Sequence, residues 1–215
     1  MINTTDSNTT TNMAHILGEV IDGLRLNHKT YGEAFYTFEL GIERNSGYED
    51  RIIVMASERI LGSITIEVGM KLDIDGQIRT YNEDVGGHNR LNIVVFARDL
   101  NLAEQDALPE NQIFLEGYLC KKPLVRTSPL GRKICDLMLA VNRMYNKSDY
   151  IPCIAWGRNA VYSGTLEVGD KIAVCGRIQS RQYKKKSEDG QVCVKTAYEV
   201  SILQMEPLET DHSQE

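Results

Sequence analysis

The chain has 215 residues and a mass of 24.2 kDa, with 42% hydrophobic and 25% charged side chains and a formal net charge of -6. That composition belongs to a folded globular protein of one large or two small domains, and it excludes a collagenous or disordered chain. The longest apolar runs, such as 52–56, stop far short of the ~20 residues a membrane-spanning helix requires, so no membrane partner is expected.

The opening Met1-Ile2-Asn3-Thr4-Thr5-Asp6 has neither a basic nor an apolar stretch, so no secretory signal and a cytoplasmic location are expected. Cys120, Cys135, Cys153, Cys175 and Cys193 are scattered, with no C-x-x-C pair, and are expected to be reduced, mostly buried thiols rather than metal ligands. His15, His28, His88 and His212 are equally dispersed. With no phosphate-cradling G-x-x-x-x-G-K-[ST] loop and no nucleophile beside a base, the pattern points away from an enzyme and implies no cofactor or metal.

In chain order, residues 1–12 are rich in Thr, Asn and Ser and are expected to be a flexible N-terminal segment. Alternating or apolar runs punctuated by Gly, Pro and Asn then predict strands over 15–21, 34–42, 51–56, 71–80 and 91–97. Residues 100–110 form an expected linker. A second set of strands is predicted over 113–119, 135–141, 150–156, 171–183 and 192–203, with a short helix in 158–166 and a flexible acidic tail over 206–215.

The two sets are copies of one unit. Gly18, Gly32, Leu40, Ile42, Arg44, Asp50 and Ala56 recur 99 positions later as Gly117, Gly131, Leu139, Val141, Arg143, Asp149 and Ala155. With one inserted residue, Val68, Gly69, Gly76 and Ile78 return as Val168, Gly169, Gly176 and Ile178. Such self-similarity predicts two modules, 13–99 and 111–205. Five strands with a helix between the third and fourth describe the oligonucleotide-binding barrel, so the expected fold class is all-β with short helices: two tandem five-stranded OB-fold barrels.

Charge divides along the same line. Residues 1–110 carry 9 Lys and Arg against 18 Asp and Glu, whereas 111–205 carry 15 against 8. An acidic module is therefore joined to a basic one, and a basic face suits phosphate. Strand parity assigns Ile151, Cys153, Ala155, Ile172, Val174 and Ile178 to the second barrel's interior and turns Tyr150, Pro152, Ile154, Trp156, Arg177, Gln179, Arg181 and Tyr183 outward. A single aromatic in a strand is usually core. Tyr145, Tyr150, Trp156 and Tyr183 together, interleaved with cations, instead suggest a platform on which unpaired bases stack. The run Lys184-Lys185-Lys186 opens the turn between the last two strands and reads as a mobile basic loop able to close over a bound strand.

At these residues the chain resembles the bacterial single-stranded DNA-binding protein (SSB) family. The resemblance lies in Asn111-Gln-Ile-Phe-Leu-Glu-Gly-Tyr-Leu119, Pro123-Leu-Val-Arg-Thr-Ser-Pro-Leu-Gly131, Leu139-Ala-Val-Asn-Arg143, Tyr150-Ile-Pro-Cys-Ile-Ala-Trp-Gly157 and Gly169-Asp-Lys-Ile-Ala-Val-Cys-Gly-Arg-Ile-Gln-Ser-Arg-Gln-Tyr183. It covers nearly all of 111–205. The resemblance implies base stacking at Tyr145, Tyr150, Trp156 and Tyr183. It further implies phosphate or sugar contacts at Arg126, Arg143, Arg158, Arg177 and Arg181, to which the Lys184, Lys185 and Lys186 loop adds cations. It implies single-stranded DNA as partner, with little sequence preference, in replication, repair or recombination. Four OB modules form the family's working unit, so two per chain imply a homodimer in a bacterial cytoplasm, associated with the nucleoid. The alternative implied is a primosome-like accessory acting mainly through replication or recombination proteins.

Two departures stand out. In the first module the platform positions fall on Ser46, Arg51, Ser57 and Glu83, which leaves assembly, a protein partner or weak DNA contact through Tyr48 and Tyr81 as its open roles. The ending Thr210-Asp211-His212-Ser213-Gln214-Glu215 also lacks the acidic tip closing on an apolar residue that recruits partners in the family.

Overall fold

The computed structural model describes residues 11–85, 88–186 and 192–209, with the side chains of 83–85, 88–90 and 185–186 outside the description. The first module comprises β1 (Asn12–Thr30), β2 (Glu33–Glu43), β3 (Glu49–Ser57), α1 (Glu58–Leu61), β4 (Lys71–Val85) and β5 (His88–Leu102). The second comprises β6 (Glu110–Leu119), β7 (Leu124–Thr127), β8 (Lys133–Arg143), β9 (Lys147–Trp156), α2 (Arg158–Ser163), β10 (Lys171–Lys186) and β11 (Val192–Leu208).

Both modules close on themselves. In the first, β1 pairs with β2 and β4, β2 with β3, β3 in parallel with β5, and β5 with β4. The second repeats the circuit with β6, β8, β9, β11 and β10, the last step being the short β6–β8 pairing of Tyr118 with Ala140 and Leu119 with Leu139. Each interior is filled by branched aliphatic side chains from alternate strand positions. Ile16, Leu40, Ile52, Leu72, Ile74 and Ile78 are fully buried in one barrel, as are Leu115, Leu119, Leu139, Ile151, Ile172 and Ile178 in the other. Small residues let the strands cross closely: a Cβ on Gly117 would lie 2.7 Å from the Ala140 carbonyl oxygen, and one on Gly18 would run into that of Gly41.

The strands are longer than their hydrophobic runs. β1 continues to Thr30 and turns on Tyr31 and Gly32, both at positive φ, into a long hairpin with β2. β5 reaches Leu102 and β11 reaches Leu208, so parts of the expected linker and tail are strand. Asn12, expected in the flexible segment, is buried and brackets Ile78 with two 2.8 Å hydrogen bonds, while the remainder of that segment, 1–10, and the tail end 210–215 lie outside the described residues. Lys184, Lys185 and Lys186, expected in a loop, pair with Val194, Cys193 and Val192 as the end of a strand, because the β10–β11 ladder runs on past the barrel. The turn itself, 187–191, lies outside the described residues.

Other expectations shift for packing reasons. Ile154, outward by parity, is buried where β9 pairs with β11 and α2 packs back over β9. Of the five thiols, Cys135 and Cys153 are buried, Cys120 is half-buried, and Cys175 and Cys193 are exposed, since the latter two sit on strand faces turned away from the core. β7 is an additional edge strand on β8.

The barrels share one sheet through an antiparallel β1–β6 pairing, from Asn12 opposite Leu115 to Leu17 opposite Glu110. Ala14 lies opposite Ile113, its own equivalent in the 99-residue repeat. A pseudo-two-fold axis therefore passes between them, and contacts across the seam occur in matched pairs. Asn12 brackets Ile78 as Asn111 brackets Ile178.

Candidate nucleic-acid interface

The seam is pinned by two buried carboxylates from the repeat. Asp50 takes Arg44 through two 2.6 Å bonds and accepts the Ser180 N–H of the other module at 2.8 Å. Asp149 lies 3.2 Å from Arg143 and accepts the Thr80 N–H at 2.7 Å and Arg79 at 3.1 Å, both from the first module. The symmetry continues one residue on. The Arg51 N–H donates to the Ser180 hydroxyl at 2.9 Å, and the Tyr150 N–H donates to the Thr80 hydroxyl at 3.1 Å. Each β-hairpin of one module is thus clamped to the fourth barrel strand of the other. Hydrogen bonding to Asp50 holds the Arg44 guanidinium above its ordinary pKa, whereas burial lowers that of Arg79.

All four candidate stacking residues lie outside the barrel. Tyr145 is 89% exposed at the β8–β9 turn, Tyr150 and Trp156 are 52% and 40% exposed on β9, and Tyr183 is 38% exposed near the end of β10. The Arg181 guanidinium stands 5.9 Å from the Tyr183 ring centroid. Tyr145 has φ of 64° and Asn146 of 53°. A bulky aromatic in the left-handed region that buries nothing is strain without a packing return, which suits a ring presented to a ligand.

The candidate cations fall into different environments. Arg158 and Lys184 are exposed, and Arg181 is exposed with Glu199 at 3.9 Å. Arg126 is held bidentately by Asp136 at 2.6 and 3.0 Å, and Arg143 is engaged by Asp149. Arg177 is half-buried beside Arg44; burial lowers its pKa, and its Nε is buried with no hydrogen-bond partner among the described residues. The side chains of Lys185 and Lys186 lie outside the described residues. Among the described residues, no group of three or more His, Cys, Asp or Glu could hold a metal ion.

Sequence reasoning missed the seam residues Thr80, Ser180 and Arg79, and with them the neighbourhood of Tyr48 and Arg51. A signal was present. Arg44 and Asp50 recur as Arg143 and Asp149 in the repeat although neither is apolar, and a polar pair repeated in register marks a shared structural contact.

Residues 110–208 match the model of the single-strand binding protein family. The chain is 32% identical over 83 residues to single-stranded DNA-binding protein B of Bacillus subtilis, covering 35% of this chain and 74% of that protein. It is 33% identical over 104 residues to single-stranded DNA-binding protein 2 of Listeria innocua, covering 45% and 65% respectively. For the first three such relatives the match spans 57–65% of their length. The crystal structure of the single-stranded DNA-binding protein of Thermus aquaticus shares the fold along both modules, with a TM-score of 0.72 at 20% identity over 95% of this chain and 96% of that one. The chain belongs to the single-strand binding protein family.

Proposed function

We propose that the protein binds single-stranded DNA with little sequence preference and protects it during replication, repair or recombination. The observation that carries this is the set of four aromatic rings, Tyr145, Tyr150, Trp156 and Tyr183, standing outside a closed barrel where core rings would be buried. Every base offers a π-face, so such a platform accepts any sequence, while Arg158, Arg177, Arg181 and Lys184 to Lys186 supply cations for phosphates that position the strand without reading it. Arg126 joins in this reading by exchanging or sharing its exposed partner Asp136, and Arg143 joins as a cation that stays paired with the buried Asp149. The role is binding, with no bond made or broken.

The working unit in this reading is a homodimer with four barrels, in the cytoplasm of a bacterium and at its nucleoid. Supporting it, Met13 and Leu203 are exposed on the sheet face beside the pseudo-two-fold axis, lining a groove of about 660 Å³ with Phe114 and Cys175.

Trp156 is the chain's single tryptophan, which makes the test direct. Titration with oligo(dT) is expected to quench its fluorescence, and the solution mass is expected to be twice 24.2 kDa before DNA is added. Unchanged fluorescence with no bound oligonucleotide rejects the function.

A further inference from the structure

We propose that the first module, despite lacking the family's stacking positions, supplies part of the same strand path through Tyr48 and Arg51, which continue the surface of Arg181 and Tyr183 across the seam. The inference rests on the single-stranded DNA reading above.

The connection is made by one residue. Ser180 offers three groups to the β2–β3 hairpin: its N–H donates to Asp50, its hydroxyl accepts the Arg51 N–H, and its carbonyl accepts the Tyr48 hydroxyl at 3.5 Å. Arg181 follows Ser180 directly, and Tyr183 lies three residues along the same strand. Tyr48 is 45% exposed, and the Arg51 and Arg181 side chains are 52% and 56% exposed. The Arg44 guanidinium lies 4.7 Å from the Tyr48 ring centroid, bracing the ring from one side and leaving exposed surface to a base.

Charge favours the same path. Arg44, Arg51, Arg177 and Arg181 gather here, against Asp50, which is committed to Arg44 and the seam, and Glu49 and Glu199, which approach Arg51 and Arg181 only at 3.6 and 3.9 Å. Arg177, half-buried beside Arg44, adds positive charge here, its Nε buried with no hydrogen-bond partner among the described residues. Position 77, equivalent to Arg177 on the far side of the axis, is Gln77, which accepts from Arg79 and Arg98. Arginines thus gather on both sides of the seam, and on this side they lie where the first module's hairpin meets the second module's β10.

The test uses the whole chain and oligo(dT) of about 30 nucleotides, long enough for two modules at ~4–16 nucleotides each. Tyr48→Ala with Arg51→Ala is expected to weaken binding roughly tenfold, the size of one lost stacking contact, while Trp156 quenching at saturation is retained. Tyr48→Phe, which keeps the ring, is expected to bind as the unsubstituted chain does. Should Tyr48→Ala unfold, Arg51→Ala alone still decides, because its backbone N–H keeps the bond to Ser180. In parallel, oligonucleotides carrying 5-bromodeoxyuridine are expected to photocrosslink to the peptide containing Tyr48. Unaltered affinity with full Trp156 quenching, or crosslinks confined to 111–205, overturns the first-module patch alone. Absence of binding by the unsubstituted chain overturns this inference together with the function it rests on.

Discussion

Tyr145 sits at the tip of a turn with φ of 64°, where Asn146 beside it is far better suited to the left-handed region. Replacing Tyr145 with Asn is expected to raise stability by about 1 kcal/mol in a thermal melt, by relieving that strain. The same change lowers oligo(dT) affinity by ~1–3 kcal/mol through the lost ring. Opposite signs in the two measurements identify a residue kept for binding. Trp156→Ala and Tyr183→Ala are each expected to cost ~1–3 kcal/mol in affinity with little change in melting temperature. Unfolding of both, with normal binding by the folded fraction, would show the rings to be core. The thiols offer a check on burial. Burial pushes the Cys153 thiol well above its ordinary pKa, and its sulfur is enclosed, whereas Cys193 is exposed. Native alkylation with iodoacetamide followed by peptide mapping is expected to label Cys193 and spare Cys153 until the chain unfolds.

At the scale of elements, hydrophobic periodicity located the barrel portion of the strands and missed their extensions. The reason is physical: in β1 beyond Arg25 and in β10 from Arg181 to Lys184 both faces meet solvent, so the sequence there has no inside to mark. The lysines of β10 belong to such an extension. Changing Lys184, Lys185 and Lys186 to Ala is expected to make the fall of log K with log[salt] shallower, by about 0.7 for each lost phosphate contact, and to weaken different base compositions equally. A slope unmoved by the triple change would show that these lysines face solvent. Gly176 marks the other feature of β10, a bulge where Leu203 of β11 is left over between the pairs Cys175–Gln204 and Gly176–Ile202. A Cβ there would collide with the Ser201 carbonyl oxygen, so Gly176→Ala is expected to lower the melting temperature markedly.

The whole molecule is held as one body by charges buried at its seam. Asp149→Ala would strand Arg79 and Arg143 without their carboxylate and remove the acceptor for the Thr80 N–H. Breaking a buried pair in this way costs ~3–5 kcal/mol, and the loss should be read in denaturant unfolding. Because each module also completes the other's sheet through β1 and β6, the unsubstituted chain is expected to unfold in a single transition. The seam also revises what net charge implies. The first module is acidic in sum, yet some of its carboxylates gather elsewhere, as Asp73 and Asp75 do around His15, while Arg44 and Arg51 lie beside the second module's β10. A strand bound near the seam would meet those local cations before the module's average.

The repeat, the alternation of aliphatic residues and strand parity were enough to determine the five-stranded barrel fold and to place Tyr150, Trp156 and Tyr183 outside it. These are local properties: which side of a strand a residue occupies follows from parity, and one strand's pattern suffices to read it. Only the tertiary structure decided that Ser180 and Thr80 are seam residues, that Arg143 is bound to a buried Asp149, and that the Tyr48 hydroxyl reaches the Ser180 carbonyl. Those facts join residues such as Tyr48 and Ser180, 132 positions apart, through bonds to backbone groups that every residue carries. Nothing in either residue's own neighbourhood along the chain records which distant backbone it will meet.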